Sequence, residues 1–170
     1  MISREIDLRH MTRCLQIARS SAKRGEYPFA SLIACGEKVL VEAENNVTEK
    51  GDVTQHAELV AISRALILKY GLSSLEGCTL YSSVEPCAMC SFPIRESRLS
   101  RVVYSISSPL MGGHSRWGIM TDKKISDCLP EFFADPPEIL SGILRIEAMN
   151  IWKEFYPDIW KNFELANIFR

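Results

Sequence analysis

Two short stretches, His-Ala-Glu at 56–58 and Pro-Cys-Ala-Met-Cys at 86–90, hold residue types that bind metal ions and move protons. Cys87 and Cys90 stand three positions apart, so a helix beginning there turns both thiols to one side, where they can grip one ion. A helix amino terminus also favours the thiolate that a metal requires, because the positive end of the helix dipole stabilises an anion. Alone, the pair is equally compatible with a redox dithiol or a structural metal knuckle. His56, which opens another helical stretch, adds a third donor. One histidine and two cysteines leave the fourth tetrahedral position open, as in catalytic zinc sites, whereas structural sites close it with a fourth protein ligand. Glu58 then places a carboxylate beside the metal that can accept a proton from a metal-activated water and pass it to a reacting group. Residues two apart diverge at mid-helix, but at a helix start both can reach a site beyond its end.

The elements that must position these groups follow from periodicity. Leu8, Met11, Leu15, Ala18 and Ala22 predict an amphipathic helix over 6–24, closed by Gly25. "PFASLIAC" and "VLVEAE" predict two strands around a turn at Gly36–Lys38, and residues 45–55 read as loop. A well-buried helix is predicted from about Thr54 to Tyr70, with Asp52 or Thr54 as N-cap and Gly71 past its end. "CTLYSSV" predicts a third strand, Pro86 the first position of a following helix, and Pro93 a kink within it. "RVVYSI" predicts a fourth strand buried on both faces. Residues 107–137 read as one irregular excursion of the kind that forms lids or pocket walls. A short strand "EIL", a helix over 143–156 and an aromatic tail through Trp160 and Phe163 complete the order. Helices alternating with strands favour an α/β class in one domain, 1–170, with a single sheet covered on both faces.

At 170 residues the chain can bury a real core without staples. Nothing resembles a signal peptide, and "LVAISRALIL" contains Arg64 and is too short to cross a membrane, which points to the cytoplasm. The net charge of −1 argues against a broad non-specific nucleic-acid surface without excluding a local basic patch. Six cysteines in such a chain read as thiols or metal ligands rather than a disulfide framework, with Cys14 and Cys35 as small core residues and Cys78 and Cys128 lacking partner spacing.

With HAE upstream of PCAMC, each at a predicted helix start, the chain resembles the zinc deaminases of the cytidine deaminase superfamily, whose signature is H-x-E followed by P-C-x-x-C. The resemblance is to the branch of guanine deaminases, cytosine deaminases and tRNA wobble adenosine deaminases, and it covers residues 8–106 best. It implies a three-layer αβα fold with a mixed five-stranded sheet. It also implies one Zn2+ per subunit held by His56, Cys87 and Cys90, Glu58 as proton shuttle, and a homodimer or larger assembly. "PFAS" and "NNVT" look like segments of guanine deaminases, and by that resemblance Phe29 stacks on the base, Asn45 hydrogen-bonds it and Ala57 completes the contacts. Core and turn roles for Phe29 and Asn45 remain open beside this.

Other segments depart from those relatives. After Cys90 stands "SFPIRES" rather than a small Gly-Ala pair, Glu96 falls where guanine deaminases carry an aromatic pocket residue, and "SSPLMGGHSRWGIM" matches neither subgroup. In that last stretch His114, Arg116 and Trp117 are read as a wall touching substrate, the alternative being that Trp117 anchors the loop to the core while His114 and Arg116 face water. Trp160 is a weaker candidate for closing the pocket. The leading functional reading is a zinc-dependent hydrolytic deaminase of a small nucleobase or nucleoside, guanine or cytosine type. A tRNA wobble adenosine deaminase is the alternative, and a non-catalytic zinc or dithiol protein the remote one.

Overall fold

The computed structural model describes residues 2–68 and 74–170. The Ser3 hydroxyl accepts a hydrogen bond from the Ile6 amide at 3.3 Å and caps α1 (Arg4–Lys23), whose buried stripe includes Met11, Cys14, Leu15, Ala18 and Ala22. Gly25, at φ +88°, turns the chain out of that helix. There follow β1 (Ala30–Cys35), β2 (Lys38–Glu44), α2 (Val47–Lys50), α3 (Ala57–Leu68), β3 (Thr79–Val84), α4 (Ala88–Glu96), β4 (Arg101–Ile106), α5 (Lys123–Cys128), β5 (Glu138–Ser141), α6 (Arg145–Phe155) and α7 (Pro157–Leu165).

The strands form one sheet in the order β2-β1-β3-β4-β5. β1 runs antiparallel to β2 and β3, whereas β3, β4 and β5 are mutually parallel, giving the mixed five-stranded sheet expected. Side-chain alternation sends Leu32, Ala34, Tyr81 and Val103 into a core with α1, α6 and α7. Ile33, Leu80, Val102 and Tyr104 enter a second core with α3 and α4. β3 and β4 are buried along their whole length, as parallel strands covered by helices on both faces must be. No helix among the described residues is long and apolar enough to cross a membrane.

Several boundaries differ from the sequence reading for local reasons. Inside 45–55 the short helix α2 forms, because the Glu26 carboxylate accepts the Glu49 amide at 2.6 Å near its start. α3 begins at Ala57 rather than Thr54; Asp52 instead closes a separate turn, accepting the Thr54 amide at 2.8 Å and its hydroxyl at 2.7 Å. The expected end of that helix at Tyr70 and Gly71 lies outside the described residues. Pro86 precedes α4 instead of opening it, Cys87 is the N-cap, and the helix continues through Pro93. Helix α5 occupies part of the stretch read as irregular, and α7 forms in the stretch read as an aromatic tail, where Pro157 at its first position is itself a start signal. The cysteine reading is corrected as well: Cys35 and Cys78 are disulfide-bonded. They continue the antiparallel register one step past Ala34 and Thr79, and their Cα atoms are 4.4 Å apart.

At the amino ends of β3 and β4, Asp7 of α1 pairs with Arg101 through two hydrogen bonds of 2.6 and 2.8 Å and accepts the Tyr81 hydroxyl at 2.9 Å. Burial pushes the Asp7 carboxyl up, but the bonds from Arg101 and Tyr81 outweigh it and hold the group below its usual range. A carboxyl depressed in the folded state contributes stability above its unfolded pKa and loses it as the pH falls through the lower folded one. Asp7→Asn strands the Arg101 charge in the core, where Glu138 at 3.4 Å is 70% exposed and compensates weakly. The expected result in urea unfolding at pH 7 is a loss of about 3 kcal/mol. The difference from the unsubstituted protein should shrink as the pH falls below 3.8.

Candidate metal centre and substrate cavity

β3 ends at Val84, and Glu85 and Pro86 carry the chain to Cys87 at the head of α4. His56 immediately precedes α3. Because α3 and α4 pack together on one face of the sheet, their amino termini meet at the carboxyl end of β3. There the His56 Nδ1 atom lies 3.6 Å from Cys87 Sγ and 3.5 Å from Cys90 Sγ, with the two sulfurs 3.6 Å apart. Ordinary zinc bond lengths on tetrahedral directions give edges of about 3.8 Å between sulfurs and about 3.6 Å between nitrogen and sulfur. The donor set therefore matches a tetrahedral face, and these three residues can hold a zinc ion. The hydrogen bond from Cys90, with His56 adjacent, holds the Cys87 thiol down at about 4. That favours the thiolate through which cysteine binds metal.

Glu58, in the first turn of α3, is 7% exposed. Its Oε2 atom is 3.6 Å from Cys90 Sγ, and its Oε1 accepts the Ser82 hydroxyl at 3.4 Å. Burial raises its carboxyl above the ordinary range. A cavity of about 300 Å3 opens on His56, Glu58 and Cys87 and is walled by Tyr27, Phe29, Asn45, Val47, Met111 and Phe169, with Glu85 and Ser108 between them. The Ser108 hydroxyl is buried and has no hydrogen-bond partner among the described residues, so it offers a polar contact to whatever enters.

Among the residues singled out from the sequence, Phe29 and Asn45 line this cavity. Phe29 also packs edge-on against Trp152 at 5.1 Å, so its core role and its place on the wall coexist. Ala57 is fully buried at the start of α3. His114 and Trp117 are not on the wall. The His114 ring meets the Tyr104 hydroxyl at 2.9 Å, and Trp117 is 57% exposed beneath the Arg116 guanidinium. The excursion instead contributes Ser108 and Met111. Trp160 is buried against Trp152 and Phe169, and Phe169 is the aromatic that reaches the cavity. Glu96 faces a different cleft, of about 580 Å3, beside Ile62, Leu66 and Phe132.

Glu85 was not legible as a functional residue, although an acid between a buried strand and the Pro-Cys step is itself unusual. Its carboxylate is 3% exposed and accepts the Ser108 amide at 2.7 Å, the His114 amide at 3.1 Å, and the Ser115 amide and hydroxyl at 2.7 and 2.8 Å. A Cβ at Gly112 would collide with this carboxylate, and one at Gly113 with the Ser91 hydroxyl. The loop is thus wrapped around an anion at the metal-centre turn, with Cys87 and Gly112 forming a β-bridge. Farther along, the buried Arg95 guanidinium donates to the carbonyls of Ile119, Asp122 and Ala134. The excursion is irregular in shape but tied down along its length. Glu85→Gln turns an amide NH2 toward N–H donors, and it is expected to cost about 2 kcal/mol in thermal or urea unfolding. Limited proteolysis should then cut between residues 108 and 118 faster than in the unsubstituted protein.

Residues 4–106 match the family described as the cytidine and deoxycytidylate deaminase zinc-binding region. A tRNA-specific adenosine deaminase of Aquifex aeolicus is 32% identical over 137 residues, covering 70% of this chain and 88% of the relative. A probable cytosine deaminase of Schizosaccharomyces pombe is 32% identical over 162 residues, covering 89% and 93%. Among solved structures, a tRNA:A34 deaminase shares the fold with a TM-score of 0.73 and 28% identity over 84% of this chain and 98% of the other.

Proposed function

The chain belongs to the cytidine and deoxycytidylate deaminase family, and from that premise we propose that it hydrolyses the exocyclic amino group of a small nucleobase or nucleoside, releasing ammonia. The observation that carries this reading is the buried Glu58 carboxyl, 3.6 Å from Cys90 Sγ and opening on the same cavity as His56 and Cys87. Bound zinc would supply the Lewis acidity that makes water nucleophilic near neutral pH. Glu58 takes a proton from the attacking water and hands it to a ring nitrogen. It then takes the remaining proton of the newly added hydroxyl and passes it to the amino group, whose bond to the ring carbon breaks to release ammonia. Phe29 offers an apolar ring to the substrate's face, and Met111 and Phe169 exclude solvent. The same reading takes residues 1–170 as a single deaminase domain that works as a homodimer.

The cavity's size favours a small substrate. About 300 Å3 is the lower end of the range for ligand pockets and suits one ring system better than a base with its sugar and flanking phosphates. The second reading, a tRNA wobble adenosine deaminase, has its own support in the 32% identity to the Aquifex aeolicus enzyme. An ammonia-release screen over free bases, nucleosides and a wobble-adenosine stem-loop separates them. Turnover of bases or nucleosides is expected, and turnover confined to the RNA would replace the first reading with the second.

A further inference from the structure

Cys87 reaches the metal centre from an extended backbone, with φ −71° and ψ 175°, and the carbonyls on either side of its Cα are both held. Its own carbonyl accepts the Ser91 amide at 3.0 Å and the Ser91 hydroxyl at 2.8 Å, from within α4. The Pro86 carbonyl before it accepts the Gly113 amide at 2.8 Å, from the loop. Gly113 is fixed in turn by Glu85, which takes the Ser108 amide ahead of it and the His114 and Ser115 amides behind it. The fit is close, since a Cβ on Gly113 would run into the Ser91 hydroxyl and press on the Cys87 carbonyl. One loop therefore meets both halves of the site. Its Ser108 and Met111 face the cavity, and its Gly112–Gly113 step braces the turn that carries a metal ligand.

We propose that Glu85 is a positioning residue for Cys87: by fastening the 108–115 loop over the Pro86–Cys87 peptide, it couples zinc binding to the order of the cavity wall. Groups one step out from a metal's ligands hold those ligands in place and typically account for about 10- to 100-fold of its affinity. Such coupling is reciprocal. Whatever factor the fastened loop adds to zinc affinity, bound zinc adds to the closing of the loop. The wall at Ser108 and Met111 is then looser in the stripped chain and formed in the loaded one, so the cavity takes its shape together with the metal. The proposal rests on the zinc site and is independent of which base or nucleoside enters.

Two readouts test it. In the first, amide hydrogen exchange is followed by NMR in the 15N-labelled full chain, loaded with zinc and stripped of it. The amides of Ser108, Gly113, His114 and Ser115 should exchange about 10- to 100-fold faster in the stripped chain. Those of Leu32 and Ile33, buried in β1, should change little. Equal loop rates in the two forms overturn the coupling, and so does an acceleration shared by β1, which is general loosening. In the second, the zinc dissociation constant is measured by competition with a chromophoric chelator. Glu85→Gln should weaken zinc about 10- to 100-fold. Asp7→Asn, costly to stability at the amino ends of β3 and β4, should leave zinc affinity within about twofold, because distant sites act independently. Equal weakening in the two variants would reduce Glu85 to a structural role and overturn the proposal. If Glu85→Gln does not fold, Ser115→Ala takes its place, removing one donor from the carboxylate, with zinc weakened about fivefold or more. Unchanged affinity in the folded variant overturns the proposal and leaves the zinc site standing. A chain that takes up no zinc overturns the zinc site itself, and the proposal with it.

Discussion

Glu58→Gln is expected to retain one zinc per chain and to lose ammonia release by about a thousandfold or more. The amide keeps the volume and part of the hydrogen bonding of the carboxyl, so the Ser82 contact and the packing of α3 survive. What it cannot do is take up a proton and give it back, and positioned proton transfer is worth about 10²- to 10⁴-fold. Here one group serves both the attack of water and the departure of ammonia, which puts the loss in the upper part of that range. Metal content by elemental analysis and single-turnover ammonia release give the two halves of the result. Undiminished turnover would remove Glu58 from the reaction.

The second large effect concerns the metal. Cys90 is fully buried and Cys87 caps α4, so Cys90→Ala leaves His56 and Cys87 with two donors where an open zinc site needs three. Zinc is expected to fall below about a tenth of an equivalent after dialysis and turnover to disappear, while thermal unfolding shifts by about 1 kcal/mol. Small zinc modules behave differently and unfold when stripped, because metal binding is most of their folding energy. This chain has two apolar cores on either side of its sheet that hold it without the ion. A chelator should therefore abolish activity reversibly and leave the helical circular-dichroism signal intact. Global unfolding on chelation would mark the site as structural.

The donor set was readable from sequence because its information is local. His56 and Glu58 are two apart, Cys87 and Cys90 three apart, and each pair sits near a helix start flagged by cap and proline residues. The stripe of α1 and the four longer strands were readable for the same reason, since hydrophobic period follows directly from backbone geometry. What escaped is contact between distant segments. Glu85 meets Ser115 thirty residues on, and Glu26 meets Asn45 nineteen residues on. Neither distance is encoded in a period. The Cys35–Cys78 bond depends on β1 and β3 being neighbours although the two cysteines are 43 residues apart, which no spacing rule supplies. Trp117 attracted attention because it is large and aromatic, but residue type does not say which side of a loop faces the cavity. Met111, without a chemical signature, is placed there together with Ser108.

The way the excursion is fastened to Glu85 bears on how the protein can change over generations. Three of the four groups on that carboxylate are main-chain amides, of Ser108, His114 and Ser115. Any residue other than proline provides such an amide, so the anchor places little demand on the side chains it holds. Pro109, Leu110 and Met111 lie within the anchored loop and make no hydrogen bond to the Glu85 carboxylate, while Gly112 and Gly113 are confined by close approach. Mutation can therefore sample the identity of residue 111, on the cavity wall, without unseating the loop or disturbing His56, Glu58, Cys87 and Cys90. Selection for a new substrate has a place to act that is separate from the reacting groups.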